Sequence, residues 1–337
     1  MSPLLQPYVK EFLVETVGTQ FNLSLLRSHG VNSGVYLVER AGERWVLKLY
    51  GARRGGSDPL RLQREVAMYR HLEQNSIQCT PKLVAYDEPS QASLLTFAEG
   101  TATLEQGAED SWHSAAIDFV AAIQTGNTAV ISDALPLGTD SCQSLFDHLL
   151  NVDRRIEGVG PYAFAAASEF HNTQIVPTWL AVRKWASTRI TNAGWPELLP
   201  QMVSPGDLGP HNSVVSGTGA IVFLDFEYAG WDDPVKFLCD LEFQPSNHFS
   251  ETQMARWGQE IRSCTEETFF HERYLCMRPV HAVKWASIAL NPFLAFQTLP
   301  LVEPRSQQSL TESLVEERLM ASDSLLAIAR HAIQEKE

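Results

Sequence analysis

The texture of the chain changes once, close to Glu99-Gly100, and that change limits the folds open to it. Before it, short β-branched and aromatic runs dominate. Val35 to Glu39 and Arg44 to Tyr50 flank Ala41-Gly42, a composition that predicts a hairpin. Ser57-Asp58-Pro59 then offers a capping residue and an early proline. Leu62, Val66, Tyr69 and Leu72 recur at helical spacing, so one helix is expected to follow. Pro81 to Ala85 and Ser93 to Phe97 read as two further strands. From Glu109 onward long helices take over, one carrying Trp112, Ala116, Phe119 and Ile123, the next Leu145, Leu149 and Val152, and another covering roughly Pro177 to Ile190. Strand character returns only at Val214-Val215 and Ile221 to Phe226, joined through Ser216-Gly217-Thr218-Gly219. The expectation is an α+β fold of two lobes. Residues 1–100 would form a small β-rich lobe with one helix, and residues 101–337 a larger, mostly helical lobe. Glu99-Gly100 would be the hinge, and a ligand would lie in the cleft between unlike halves.

Composition narrows the functional classes. With apolar types at 44% of 337 residues the chain can bury a large core, and no run approaches the roughly 20 apolar residues of a membrane-spanning helix. The first residues lack a basic start followed by an apolar stretch, so no secretion signal is expected. The five cysteines are widely spaced, with no Cys-x-x-Cys pair, which suggests neither a zinc site nor a disulfide framework and points to a cytoplasmic protein. A net charge of -14 argues against nucleic acid as a partner. Residues 1–100 hold 11 basic and 10 acidic side chains, which leaves 15 basic and 30 acidic for the remainder. The acidic part reads either as the receiver of a cationic acceptor or as a solvated surface that keeps the protein soluble.

The most informative stretch is Ser204-Pro205-Gly206-Asp207-Leu208-Gly209-Pro210-His211-Asn212, followed by Ile221-Val222-Phe223-Leu224-Asp225-Phe226-Glu227. Asp207 and Asn212 stand five apart in a loop rich in Gly and Pro, and Asp225 is expected to close an apolar strand. Three oxygen-bearing side chains can converge there. Phosphoryl transfer needs such a set, because magnesium wants hard oxygen ligands and a carboxylate must orient the attacking hydroxyl. The segment resembles the catalytic loop and metal-binding strand of the aminoglycoside phosphotransferase and choline kinase-like superfamily, itself similar to protein kinases. The family pattern is His-x-Asp-x-x-x-x-Asn followed by an apolar strand ending in Asp. The resemblance implies a bilobal protein-kinase-like fold, with Asp207 as catalytic base and Asn212 and Asp225 as magnesium ligands. Glu227 and Asp233-Pro234 also resemble the family's continuation. One departure stands out: Pro205 occupies the place of the usual His, so the bracing that His provides must come from proline rigidity or another group.

The first lobe adds Lys48, a charge inside the apolar strand Trp45-Val46-Leu47-Lys48-Leu49-Tyr50 that would be costly to bury without a partner. In the resembled family the matching Lys holds the nucleotide α- and β-phosphates and pairs with a helix Glu, a part that Glu65 fits in type, distance and order. The plain alternatives are a Lys pointing to solvent and an ordinary surface ion pair between Glu65 and Arg61 one turn earlier. Ahead of Lys48, Ser28 to Gly34 contains Gly30, Asn32, Ser33 and Gly34, small or polar residues that would let the backbone approach phosphates, though a plain β-turn explains them as well. Phe97 to Gly100, with Glu99, would meet the nucleobase. His211 reads as shaping the loop, and Trp179, Trp185 and Trp285 as core.

The order of glycine loop, Lys, helix Glu, hinge, Asp, Asn and Asp is that of a kinase. The expected function is transfer of the γ-phosphoryl group of a magnesium nucleotide, ATP with GTP left open, to a hydroxyl of a small acceptor such as an amino sugar, sugar or amino alcohol. Two alternatives stand beside it. A protein kinase would need an Asp-Phe-Gly and an Ala-Pro-Glu segment, and here Asp225-Phe226 is followed by Glu227. A catalytically silent nucleotide-binding adaptor would account for Pro205. Acceptor identity and oligomeric state have no signature in the sequence.

Overall fold

The structure, a computed structural model, describes residues 6–26, 34–50, 59–124, 135–159, 161–265, 267–294 and 312–334. These divide into two compact units. The first takes the described residues up to Gly138 together with Pro205–Gly230; the second takes Thr139–Ser204 and the described residues from Trp231 on.

The first unit opens with helix α1 (Pro7–Val17), with Pro7 at its first turn, where a missing N–H costs nothing. Five strands follow in one antiparallel sheet: β1 (Asn22–Leu25), β2 (Gly34–Arg40), β3 (Glu43–Leu49), β4 (Leu83–Asp87) and β5 (Ala92–Thr96), ordered β1-β2-β3-β5-β4. The β2–β3 turn is built by Ala41 and Gly42, both at positive φ (50° and 89°), the combination a two-residue hairpin of type I′ requires. Neither α1 nor β1 was expected from the sequence, so this region holds two helices rather than one. α1 is held by tertiary packing: Val9, Phe12, Leu13 and Val17 share one apolar stripe that is buried with Tyr36, Val38, Leu47, Ala92 and Leu94 of the sheet. Helix α2 (Arg61–Gln74) begins just after the expected proline; Ser57 and Asp58, the expected cap, lie outside the described residues.

Past Gly100 the first unit continues with the short strand β6 (Thr101–Ala102), α3 (Thr103–Gln106) and α4 (Glu109–Gln124), whose expected stripe of Trp112, Ala116, Phe119 and Ile123 is buried throughout. β6 pairs with the strand after the predicted catalytic loop, β8 (Ser213–Val215), and β8 pairs with β9 (Ile221–Phe223). Gly100 lies so close to β8 that an added Cβ would stand 2.4 Å from the Val215 carbonyl oxygen. These main-chain bonds place the break at Gly100 inside the first unit. β9 ends at Phe223, so Asp225 lies two residues beyond the strand rather than closing it. A separate two-stranded ladder joins β7 (Met202–Ser204) to β10 (Gly230–Asp232).

The second unit is helical: α5 (Leu145–Glu157), α6 (Ala165–Phe170), a single π-turn at His171–Ile175, α7 (Val176–Asn192), α8 (Pro234–Phe243), α9 (Glu251–Thr265), α10 (Phe270–Ala289) and α11 (Glu312–Gln334). Asp233 caps α8 through the Val235 amide at 3.3 Å, and its other oxygen accepts from Arg273 at 2.6 Å. Burial alone would raise its pKa, but the Arg273 guanidinium and the His148 imidazole beside it hold it below the ordinary value. In this unit Asp233-Pro234 therefore serves as a helix start. Trp179 is core, as expected; Trp185 and Trp285 are only half-buried, the first under the Arg189 guanidinium at 4.9 Å, the second donating to Asp240 at 2.9 Å. No helix among the described residues is long and apolar enough to cross a membrane.

Candidate active site

Lys48, Glu65, Asp207, Asn212 and Asp225 all belong to the first unit. β3 carries Lys48 in register with Val35 on one side and Ser93 on the other, so its side chain leaves the sheet at the center. It meets α2 there. Its ammonium, on a residue only 4% exposed, donates to both oxygens of Glu65, at 2.7 and 2.9 Å, and to Asp225 Oδ1 at 2.9 Å. Tyr50, just past the end of β3 with its amide donating to Gln91 O at 2.8 Å, keeps the alternation of the strand and reaches the same carboxylate, donating its hydroxyl to Glu65 Oε2 while lying 2.9 Å from Ser93 Oγ.

The plain alternatives for this pair do not survive. Lys48 is not turned to solvent, and Glu65 is fully buried rather than part of a surface pair with Arg61. Arg61 forms an ion pair instead with Glu227, also buried, whose other oxygen is 3.8 Å from Lys48. The charges interact strongly. Burial alone would lower the Lys48 pKa, yet the carboxylates of Asp225, Glu65 and Glu227 hold it well above its ordinary value. Burial raises Glu65 from 4.5 to about 7, against the pull of Lys48 and with help from Asp225 and Glu227. A raised carboxyl pKa opposes folding: between those two values the unfolded chain ionises first, so this group costs stability as pH climbs toward 7. For Asp225, burial pushes up, but Lys48, Arg61 and His211 outweigh it and hold the group below the ordinary carboxylate value.

Asp225 itself sits at φ 67°, a left-handed conformation that costs a non-glycine residue roughly 1 kcal/mol. The turn is fixed from several sides. Phe226 N donates to Glu65 Oε1 at 3.4 Å, Phe119 stacks on Phe223 at 4.5 Å between ring centers, and Tyr69 meets Phe226 edge-on at 5.3 Å. Leu224 N donates to Asn212 O at 2.9 Å, which brings the predicted loop alongside the residue before Asp225.

Within that loop the Asn212 side-chain amide donates to Asp207 O at 2.9 Å, Asn212 N to Gly209 O at 3.0 Å and Leu208 N to Gly206 O at 3.0 Å. These bonds, with buried Pro205, do the bracing for which the missing His was expected to need a substitute. His211 Nε2 lies 3.3 Å from Asp207 Oδ2. Asp207 and Asp225 keep 33% and 36% of their side chains exposed, so both remain reachable by a ligand. Gly206 has φ 83°, and a Cβ there would stand 2.8 Å from the Tyr228 carbonyl carbon. Gly206→Ala is therefore expected to lose about 2 to 3 kcal/mol of stability in urea unfolding. An unchanged midpoint would mean that the loop is not held at this contact.

Among the described residues no group of three His, Cys, Asp or Glu side chains is arranged to hold a metal. The donor set does fit magnesium in the form in which nucleotide enzymes bind it, with one or two protein oxygens and the rest from phosphate and water. With its Nδ2 committed to Asp207 O, Asn212 offers Oδ1, and with Oδ1 committed to Lys48, Asp225 offers Oδ2.

Of the other sequence candidates, Gly30, Asn32 and Ser33 lie outside the described residues, while Gly34 starts β2 one residue before the partner of Lys48. Phe97 and Glu99 are joined to Arg44, the ring 4.5 Å from the guanidinium and the carboxylate paired with it; no bond links them to the Lys48 cluster. Sequence reasoning missed Arg61 and Tyr50. The strand alternation that puts Tyr50 on the face of Lys48 was a signal for the second; Arg61 had none beyond its place one turn before Glu65.

The family model described as "Phosphotransferase enzyme family" matches residues 25–263. Among solved structures, choline kinase LicA from Streptococcus pneumoniae is similar at 15% identity and TM-score 0.58, over 95% of this chain and 98% of that one. A choline/ethanolamine kinase family protein from Mesorhizobium loti is 16% identical with TM-score 0.58, over 97% and 98%. Spectinomycin phosphotransferase APH(9)-Ia, solved with ADP and spectinomycin, is 14% identical with TM-score 0.57, over 99% and 100%. At such identities the likeness is one of fold. No curated protein sequence matches the chain.

Proposed function

The chain belongs to the phosphotransferase enzyme family, and on that premise we propose that it is a small-molecule kinase that moves the γ-phosphoryl group of ATP to a hydroxyl of a small acceptor. The observation that carries this reading is Lys48 bonded at once to Glu65 and Asp225, with the Asp207–Asn212 loop tied to Leu224 beside them. Glu65 and Tyr50 fix the ammonium of Lys48 where it can receive the α- and β-phosphates. Asp225 and Asn212 would hold magnesium, which neutralises charge on the phosphate oxygens. Asp207 aligns the acceptor hydroxyl and takes its proton as the new oxygen–phosphorus bond forms and the bond to the departing ADP breaks. Little covalent chemistry is asked of the protein; positioning and charge stabilisation supply the rate.

For the acceptor we propose an amino alcohol or amino sugar. The excess of 30 acidic over 15 basic side chains after residue 100 favours a cation, and the similar solved structures include proteins named as choline, ethanolamine and spectinomycin kinases or phosphotransferases. The test has two stages. Magnesium with ADP should raise the melting temperature, and ATP consumption should then be measured against amino alcohols, amino sugars and neutral sugars. Turnover confined to the cationic acceptors is the expected result. Protection without turnover on any acceptor would assign the chain to the silent adaptor class, and turnover of neutral sugars alone would overturn the acceptor class.

A further inference from the structure

Glu227 follows two residues after Asp225, and a second carboxylate so near a magnesium ligand could compete for the metal or for Lys48. The structure gives it another partner. Glu227 is 3% exposed and forms an ion pair with the Arg61 guanidinium, itself 1% exposed and set 5.9 Å from the ring center of Tyr50 and 5.8 Å from that of Tyr228. Arg61 and Glu65 stand one turn apart on α2, so this helix grips the turn after β9 twice: Glu65 through Lys48 and Phe226 N, Arg61 through Glu227. In this cluster Lys48 and Arg61 face Glu65, Asp225 and Glu227. Without Arg61, buried Glu227 would have to draw its compensation from Lys48, 3.8 Å away, the same ammonium that must serve the nucleotide.

We propose that Arg61 is a positioning residue for phosphoryl transfer: by occupying Glu227 it leaves Lys48 to the nucleotide phosphates and Asp225 to the metal. The inference rests on the nucleotide-binding reading above and adds a residue to it. Packing alone would predict that any loss of the guanidinium damages the site irreversibly. The charge argument predicts something different, that removing the carboxylate as well restores it, because Lys48 then regains its own partners.

The experiment compares the full-length wild type with Arg61→Met, Glu227→Gln and the double variant, reading KM for magnesium-ATP, kcat, and protection by magnesium-ADP in thermal melts. Arg61→Met should raise the nucleotide KM by about tenfold or more, and adding Glu227→Gln should return it to within about threefold of wild type, the signature of coupled neighbours. A double variant as impaired as Arg61→Met, or Arg61→Met with an unchanged KM, overturns the proposal. Should Arg61→Met not fold, Arg61→Lys decides: a KM within about threefold of wild type supports the charge role, and a rise beyond about tenfold overturns it. A wild type that ignores magnesium-ADP would sink the nucleotide reading and this inference together, which separates that failure from a failure of Arg61 alone.

Discussion

Replacing Asp207 with Asn is expected to lower kcat by about 10²- to 10⁴-fold, the range a positioned general base contributes, with magnesium-ADP affinity within about threefold of wild type. The variant is nearly isosteric, and it leaves in place the Asp207 backbone carbonyl that braces the loop by accepting from Asn212 Nδ2 at 2.9 Å. The side-chain contact with His211 at 3.3 Å is one that an amide can keep. Binding and transfer should thus separate cleanly. A kcat within tenfold of wild type would remove Asp207 from the role of base.

The second large effect belongs to Asp225. Asp225→Ala takes away one partner of Lys48 and the carboxylate that fits magnesium, so the gain in nucleotide affinity on adding magnesium should fall by about 10- to 100-fold, with transfer lost. Calorimetric titration of ADP with and without the metal reads this directly. Asp225→Asn is the informative companion. Asn tolerates the left-handed backbone at φ 67° better than Ala, so it should fold as well as wild type and still lose the metal dependence. If both variants bind ADP more tightly with magnesium, to the degree wild type does, the metal is held elsewhere.

Much of this site could be read before any coordinates, and the reasons are physical. A Lys inside an apolar strand needs an acid, and the acid supplied by the next helix, Glu65, is the one it meets. Asp207 and Asn212 sit in a segment whose Gly and Pro admit only a single 3-10 turn, Pro210–Asn212, and no long helix or strand, so their spacing stands out against its surroundings. The hairpin turn at Ala41-Gly42 was legible because its backbone demands unusual residues. What stayed hidden depends on distant partners. Arg61 reads as a surface charge on a helix until Glu227, 166 positions later, is seen to bury it. The end of β9 at Phe223 was obscured because Leu224 and Phe226 extend the apolar run, although they leave the ladder to make the turn that presents Asp225. α1 and β1 went unread because their stripe is short and finds its meaning only against Val38, Leu47 and Leu94.

The fit of Gly100 against β8 bears on how the enzyme could breathe. A residue whose missing methyl is filled by a neighbouring carbonyl, and whose successors Thr101 and Ala102 are laddered to Val215 and Val214, has no room for a side chain and ties the segment after it to β8. The connector after β5 and the β8–β9 hairpin should then shift as a single plate. On the proposed function, opening to release ADP would pivot at some other point of the chain, and any side chain grafted onto position 100 would act as a wedge beneath the β8–β9 hairpin, not as a change in looseness.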